Sequence, residues 1–338
     1  MDTFANNPFT QHWGECRFSV ERPQVWQWRT QAQQQAISTN IPSNEVDWLL
    51  SLMSDLSRLD LRLGGMGDRS VQLRLPWEDL KILWQQRVEQ RKPLQHLLGF
   101  APWRDFWLRV SPDVLIPRPE TELIIDLAQQ ALNLAGLDSA NSHWADLGTG
   151  SGAIALGLAT TFPKATIHAV DYSEAALAIA QANATAYHLK NRIQFYHGSW
   201  LEPLTPLKGQ LQGIVSNPPY IPTAVVPSLQ PEVTQHEPHL ALDGGTDGLA
   251  SVQHLIAIAP LYLQPRGIWL VELMAGQAPT VADLLAANGH YQTIQIHVDL
   301  AGIERFVSAT RQESGITEMK DSLSTASARP MPPQHPAS

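Results

Sequence analysis

One cysteine, Cys16, in 338 residues excludes an internal disulfide and suits a reducing compartment. No window approaches the roughly 20 apolar residues of a membrane span. The start MDTFANNPFT has neither the basic opening nor the apolar stretch of a signal peptide. A soluble, cytoplasmic protein is therefore expected. Positive charge is scarce in the middle of the chain: residues 96–310 hold 9 Lys+Arg against 18 Asp+Glu, whereas residues 1–95 hold 11 of each. The net charge of −9 thus sits in one region, which repels a phosphate backbone unless its few cations cluster. No internal repeat is present. What remains is ordinary globular composition, 43% hydrophobic and 16% charged, and length enough for two cores.

The first 95 residues read as helical. Asn44 is placed to cap a helix through Val46, Leu49, Leu50, Met53 and Leu56, apolar at helical spacing. The run Gly64-Gly65-Met66-Gly67 breaks it, and Pro76 opens a second helix through Leu80, Leu83, Trp84 and Val88. Trp26, Trp28, Trp48, Trp77 and Trp84 are read as core, with a partner-binding face as the alternative. Around Arg104-Asp105, alternation at Phe106, Leu108 and Val110 predicts a hairpin. In SPDVLIPRPETE the prolines 112, 117 and 119 stiffen an irregular path, after which Thr121 starts a helix.

From residue 143 strands and helices alternate. Strands are predicted at 143–147, 166–170, 192–197, 213–216, 267–273, 293–299 and 303–309, and helices near 153–161, 173–187, 246–262 and 277–288. Such alternation makes an α/β sheet with helices on both faces. Only Ala301-Gly302 joins the last two strands, so they form an antiparallel hairpin and one strand of a mostly parallel sheet is reversed. The tail, rich in Ser, Pro, Thr and Ala, reads as disordered.

WADLGTGSGAIAL is a strand, a glycine turn and a helix start. Gly148, Gly150 and Gly152 let backbone approach a ligand closely; a plain β–α turn seldom needs three glycines in five residues. No lysine follows, so a phosphate-binding P-loop is excluded. Two readings stay open: a dinucleotide fingerprint on Gly148, Gly150 and Ala153, or the turn that holds the amino-acid end of S-adenosylmethionine. Asp171, ending ATIHAVD, accepts the two ribose hydroxyls in either case.

The fourth strand decides. SNPPYIP follows the apolar run Gly213-Ile214-Val215 and carries no group that titrates near neutral pH. As an isolated string it is equally a plain turn, but its position at a strand's carboxyl end shares the row of Gly148 and Asp171. Proline fixes φ and removes N–H groups. The carbonyls of Asn217 and Pro218 and the Asn217 side-chain oxygen then form a rigid set of acceptors. Acceptors without a base suit a planar NH₂ group whose nitrogen is to be methylated, because they turn its lone pair toward the methyl and stabilise the growing positive charge. Tyr220 walls the pocket. A hydride-transfer enzyme has no use for this set, which demotes the dinucleotide reading.

Several motifs then occur in order: PLQHLLG (93–99), PDVLIPRPETE (112–122), DLGTGSGAIAL (146–156), SNPPYIP (216–222) and EPHLALDGGTDGL (237–249). Together they resemble the HemK/PrmC family, the peptide chain release factor N5-glutamine methyltransferases, over roughly residues 75–310. The resemblance implies a class I S-adenosylmethionine-dependent methyltransferase, a Rossmann-like α/β fold behind a small helical domain. It divides the chain into a helical substrate-binding domain at 1–95, a hairpin and Pro-rich linker at 96–120, the methyltransferase domain at 121–311 and a disordered tail at 312–338. It implies a methyl acceptor in the glutamine amide of the release factor Gly-Gly-Gln motif, with S-adenosylhomocysteine as coproduct. Gly148, Thr149, Gly150, Ser151 and Gly152 would bind the cofactor, Asp171 its ribose, and Trp200 would pack near the adenine. Asn217, Pro218, Pro219 and Tyr220 would bind the glutamine and carry catalysis, with Asn217 also near the cofactor. The partners expected are release factors, with no direct nucleic acid, no membrane and no metal, and the enzyme acts as a monomer. The chain departs from the family at VELMAGQ (271–277), where Met274 replaces a more usual glycine. Its N-terminal extension, the Gly64–Leu75 segment and the tail are also longer than usual.

A nucleic-acid adenine or guanine N-methyltransferase would share NPPY but needs a basic approach surface. A binding module without turnover is a third reading. Arg118 is either held over the site or paired with Glu120 or Glu122. His236 and His239 flank Glu237 with metal-like spacing, but no third ligand is near and they read as loop residues. Glu272 ends a strand near the cofactor side, where a structural role weighs at least as much as a functional one.

Overall fold

The computed structural model of the chain describes residue 8 and residues 14–64 and 69–313. The tail expected to be disordered therefore falls, from residue 314, outside the described residues, as do 65–68 of the glycine break.

The N-terminal unit comprises β1 (Phe18–Val20), α1 (Arg22–Ser38), α2 (Asn44–Met53), α3 (Arg58–Arg62), β2 (Val71–Leu73), α4 (Trp77–Glu89) and α5 (Leu94–Leu98). It is not wholly helical, since β1 and β2 pair antiparallel. Helix α1 was not anticipated because its inward face is thin. Only Arg22, Val25, Ala32 and Ala36 are buried among a polar run of glutamines, too narrow a stripe to read as amphipathic. Helix α2 begins at Asn44, but Ser43 is its cap residue and makes no side-chain cap bond, which corrects the expected role of Asn44. Trp84 fills the core with Leu49, Leu50, Met53 and Leu80, and Trp26, Trp28, Trp48 and Trp77 pack around it. Arg29 joins α1 to α2 by a bidentate pair with Asp47, at 2.6 and 2.7 Å.

Strands β3 (Phe100–Trp103) and β4 (Phe106–Arg109) form the expected hairpin. Its Trp103, Phe106 and Leu108 enter the core beneath the large sheet. A short 3-10 turn at Glu120–Glu122 leads into α6 (Leu123–Ala135). Then follow β5 (His143–Leu147), α7 (Ala153–Thr161), β6 (Thr166–Asp171), α8 (Glu174–Ala186), β7 (Ile193–His197), β8 (Leu211–Ser216), α9 (Pro231–His236), α10 (Ala250–Ile258), β9 (Leu263–Glu272), α11 (Ala278–Asn288), β10 (Tyr291–Val298) and β11 (Glu304–Arg311).

The seven-stranded sheet has the order β10-β11-β9-β8-β5-β6-β7. Its neighbours are parallel except that β11 runs against both β9 and β10. Alternation along the strands feeds two cores, as a pleated sheet covered on both faces requires. Trp144, Val215, Ile268, Leu270 and Phe306 face α6 and α7. Ala145, Ile214, Trp269, Val271 and Val307 face α10 and α11. No helix of the described residues is long and apolar enough to cross a membrane.

The N-terminal unit is tied to the rest of the chain through α9. Arg87 is 3% exposed and pairs with Glu45 at 2.6 Å and with Glu232 at 2.7 Å. Arg91 grips the same Glu232 through Nε at 2.9 Å and Nη2 at 2.8 Å. His236 bonds the Gln90 carbonyl at 2.7 Å.

Candidate active site

Register places the site. Val170 pairs with Leu147, Leu147 with Ser216, and Ser216 with Val271. The residues that follow, Asp171, Gly148, Asn217 and Glu272, therefore stand in one row across four adjacent strand ends. Ser216 reinforces the row by donating to the Leu147 carbonyl at 2.7 Å. This is the carboxyl edge where open parallel sheets bind ligands.

On one side lies the glycine turn. Gly148, Gly150 and Gly152 have φ of 73°, 54° and 83°, a region that costs an L side chain roughly 1–2 kcal/mol. Gly148 and Thr149 donate to the Val170 carbonyl at 2.9 and 3.0 Å. The Thr149 side chain turns inward to Asp146 Oδ2 at 2.5 Å, and the Ala155 N–H reaches the same oxygen at 3.0 Å. Burial of Asp146 outweighs both bonds and pushes its carboxyl up to about 7. The Ser151 carbonyl accepts from Asn183 Nδ2 at 2.8 Å, and Asn183 also exchanges two bonds with the Arg109 backbone, so one buried amide ties the turn to β4. Asn183 gave no sign of this in the sequence, because its partners lie 32 and 74 residues away.

Asp171 receives Gly150 N–H on Oδ2 and Ser173 N–H on Oδ1, each at 2.8 Å. Burial raises its pKa in spite of these bonds. Each carboxylate oxygen keeps a lone pair for further donors. Trp200, with φ of 47°, brings its ring beside Gly148.

On the other side lies Asn217-Pro218-Pro219-Tyr220. Among the described residues, no group hydrogen-bonds to the carbonyls of Asn217 or Pro218 or to Asn217 Oδ1. Asn217 Nδ2 donates to Thr121 Oγ1 at 3.2 Å. The Tyr220 hydroxyl donates to Glu272 Oε1 at 3.3 Å, and burial pushes that phenol well above its usual range. Glu272 is 1% exposed. Burial raises its pKa to about 7, although the Thr121 and Tyr220 hydroxyls, and the more distant Arg305, pull it down. Its Oε2 has no hydrogen-bond partner.

The segment at 243–249 holds the tetrapeptide from behind. Ile221 donates to the Leu242 carbonyl at 3.0 Å, and Gly244 returns a bond to Ile221 at 2.8 Å. A Cβ on Gly248, whose φ is 77°, would stand 2.3 Å from the Tyr220 carbonyl oxygen, and one on Gly244 would stand 2.8 Å from that of Pro219. Gln277 completes the clamp: Nε2 donates to the Tyr220 carbonyl at 2.9 Å while Oε1 accepts from Met274 N–H at 3.0 Å. The departure at Met274 is thus a turn position closed by Gln277.

Arg118 pairs with neither of its expected partners. Its Nη2 reaches Glu237 Oε2 at 2.5 Å, and Glu237 is buried. Glu122 is instead taken by the Arg104 backbone N–H at 2.9 Å. The two motifs 112–122 and 237–249 are therefore joined by an ion pair. No cluster of metal-ligating residues occurs among the described residues. A cleft of about 500 Å³, lined by Ile41, Arg87, Arg118, Glu232 and Glu237 among others, opens where the N-terminal unit meets this pair.

Comparison with known proteins agrees with this architecture. A family model described as Methyltransferase small domain matches residues 122–236. The catalytic domain of hMettl16, in a crystal structure with the MAT2A 3'UTR hairpin 6, superposes with a TM-score of 0.50 over 80% of this chain and 93% of that one, at 13% identity, and shares the fold. The release factor glutamine methyltransferase of Synechocystis sp. is 57% identical over 282 residues, which is 83% of this chain and 94% of the relative. That of Thermosynechococcus vestitus is 50% identical over 265 residues, 78% of this chain and 90% of the relative. With half or more of the aligned residues identical over at least nine-tenths of both relatives, the chain belongs to the release factor glutamine methyltransferase family.

Proposed function

We propose that the protein transfers a methyl group from S-adenosylmethionine to the side-chain amide nitrogen, N5, of the glutamine in the Gly-Gly-Gln motif of peptide chain release factors. Family membership supports the reaction and the protein substrate. The observation that carries the chemistry is the set of three oxygens at Asn217 and Pro218 that accept no bond from the described protein.

The residues fit the cofactor. A Cβ on Gly150 would meet nothing within 4 Å, and one on Gly148 only the Trp200 ring edge at 3.8 Å, so the turn borders open space. Asp171, held by two backbone N–H groups, has lone pairs free for two neighbouring hydroxyls. Gly148 to Gly152 would hold the amino-acid end, Asp171 the ribose and Trp200 the adenine. When bound, the cofactor supplies an electrophilic methyl on a sulfonium.

The chain's own part is orientation and charge stabilisation. The Asn217 and Pro218 oxygens accept both N–H bonds of the substrate carboxamide. That draws its nitrogen toward tetrahedral geometry and offsets the positive charge developing there. Tyr220 stays neutral at physiological pH and walls the pocket. No side-chain base is required, because the N-methylated cation is acidic enough to lose its proton after transfer. The N-terminal unit engages the body of the release factor, and the enzyme works in the cytoplasm as a monomer.

The test uses purified protein, labelled S-adenosylmethionine and three acceptors: a release factor, its variant lacking the motif glutamine, and RNA. Label is expected only in the intact release factor. Label in RNA, or in the glutamine-free variant, overturns the assignment.

A further inference from the structure

Building on the proposed transfer to a carboxamide, we propose that Thr121 and Glu272 are positioning residues that decide which end of the Asn217 side-chain amide faces the substrate. An asparagine presents an oxygen and an NH₂ group of nearly equal size. Only the oxygen accepts from the substrate's NH₂; the reverse rotamer would set donor against donor. Something must therefore break the symmetry.

Thr121 sits between Asn217 and Glu272 and is 4% exposed. Its Oγ1 lies 3.2 Å from Asn217 Nδ2, and its hydroxyl also faces the Glu272 carboxyl. Above about pH 7 the Glu272 carboxyl is mostly ionised and only accepts. The single Thr121 proton is then directed toward Glu272, and the lone pairs of Oγ1 toward Asn217. Only the NH₂ end of Asn217 can meet those lone pairs. Its Oδ1 is left turned away, with no partner among the described residues. The donor direction from Asn217 to Thr121, biased by the Glu272 carboxyl that the Thr121 hydroxyl faces, fixes the acceptor.

A second observation points to the same carboxyl. Glu272 also receives the Tyr220 hydroxyl, so it touches the Asn217–Tyr220 segment directly at Tyr220 and by way of Thr121 at Asn217. Yet it is almost fully buried with Oε2 unsatisfied. Stability alone favours an apolar residue at such a place. The chain needs an acceptor that does not donate there, and the ionised form of Glu272 supplies it.

Four proteins test the role: wild type, Thr121→Val, Thr121→Ser and Glu272→Gln, each assayed for methylation of a release factor, for S-adenosylmethionine binding by calorimetry and for thermal melting. Thr121→Val keeps the shape and loses the hydroxyl, so kcat should fall by about 10- to 100-fold while cofactor Kd stays within about threefold. Thr121→Ser restores the hydroxyl and should keep kcat within about threefold of wild type. Glu272→Gln can turn either its oxygen or its NH₂ toward Thr121 and should fall between the two. Near-wild-type kcat in Thr121→Val, or a loss in Thr121→Ser as deep as in Thr121→Val, overturns the proposal. Should Thr121→Val fail to fold, Glu272→Gln decides, and unchanged kcat in that variant overturns it. Failure of the wild type to label the release factor counts instead against the activity itself, and the positioning role falls with it.

Discussion

The two sides of the strand-end row are built on different scales of sequence. The glycine side draws on one β–α–β stretch, from Asp146 to Asp171, with Trp200 and Asn183 added from the next elements. The Asn217 side gathers Thr121, the tetrapeptide, Gly244, Gly248, Glu272 and Gln277 from five separate segments. The first is set largely by local backbone conformation, the positive φ that its three glycines allow. The second exists only once distant parts have converged. Damage to the glycine side should therefore stay with one ligand, while damage to the Asn217 side should spread to stability or to the chemical step.

The largest expected effect separates the sides cleanly. Asn217→Ala should lower kcat by about 100- to 1,000-fold, the usual loss for a preorganised polar partner of the transition state. Cofactor affinity should change only a few-fold, and steady-state kinetics with calorimetry check it. Equal losses in both would erase the division.

Glu272 gives the next test, through pH. Its folded pKa of about 7 lies above the ordinary value of 4.5. For a raised acid the folded state binds more protons than the unfolded one between those values. Its contribution to stability is therefore fully favourable below about 4.5 and is lost as pH rises toward about 7. Glu272→Gln should remove that slope. Relative to wild type it should gain up to about 3 kcal/mol between pH 4.5 and pH 8, read from urea melts at each pH. Thr121, Tyr220, Arg305 and Glu120 face the group and are unchanged in the variant.

Gly248→Ala should cost about 2–3 kcal/mol, because a positive φ and the Tyr220 carbonyl both oppose a Cβ. Gly150→Ala is the sharpening control: its φ is also positive, but its Cβ would meet open space. It should cost only about 1 kcal/mol. Differential scanning calorimetry of the pair measures the difference between converged and local construction.

The smallest effect falls on the glycine side. Asp171→Asn should weaken S-adenosylmethionine by about tenfold, the loss of one charged hydrogen-bond acceptor, with kcat at saturation close to wild type. An equal drop in kcat would mean that Asp171 reaches the reacting atoms.

The same difference of scale explains what could be read in advance. The strand and helix alternation, the reversed β11 and the glycine turn rest on period, spacing and φ, which are properties of neighbours in sequence. The row of Asp171, Gly148 and Asn217 followed from strand order alone. Glu272 was visible as a strand end, but its contact with Tyr220 depends on two side chains 52 residues apart. Gln277 and Asn183 are ordinary amides whose partners are backbone carbonyls of remote segments. Arg118 had acids two and four residues away, yet its partner is Glu237, 119 positions on. Pro119 and the 3-10 turn carry Glu120 and Glu122 round to other neighbours. Helix α1 was missed because its small buried alanines leave almost no apolar signature.

The grip of Arg87 and Arg91 on Glu232 has a mechanical consequence. Helix α9, which carries Glu232, lies on the loop that leaves Tyr220 and returns through the glycines behind it. Any tilt of the N-terminal helices must pull on that loop or break the contacts of buried Arg87 and half-buried Arg91. A body pressing on one end of the molecule thus has a stiff rod, made of charges, leading to the place where the methyl group changes hands.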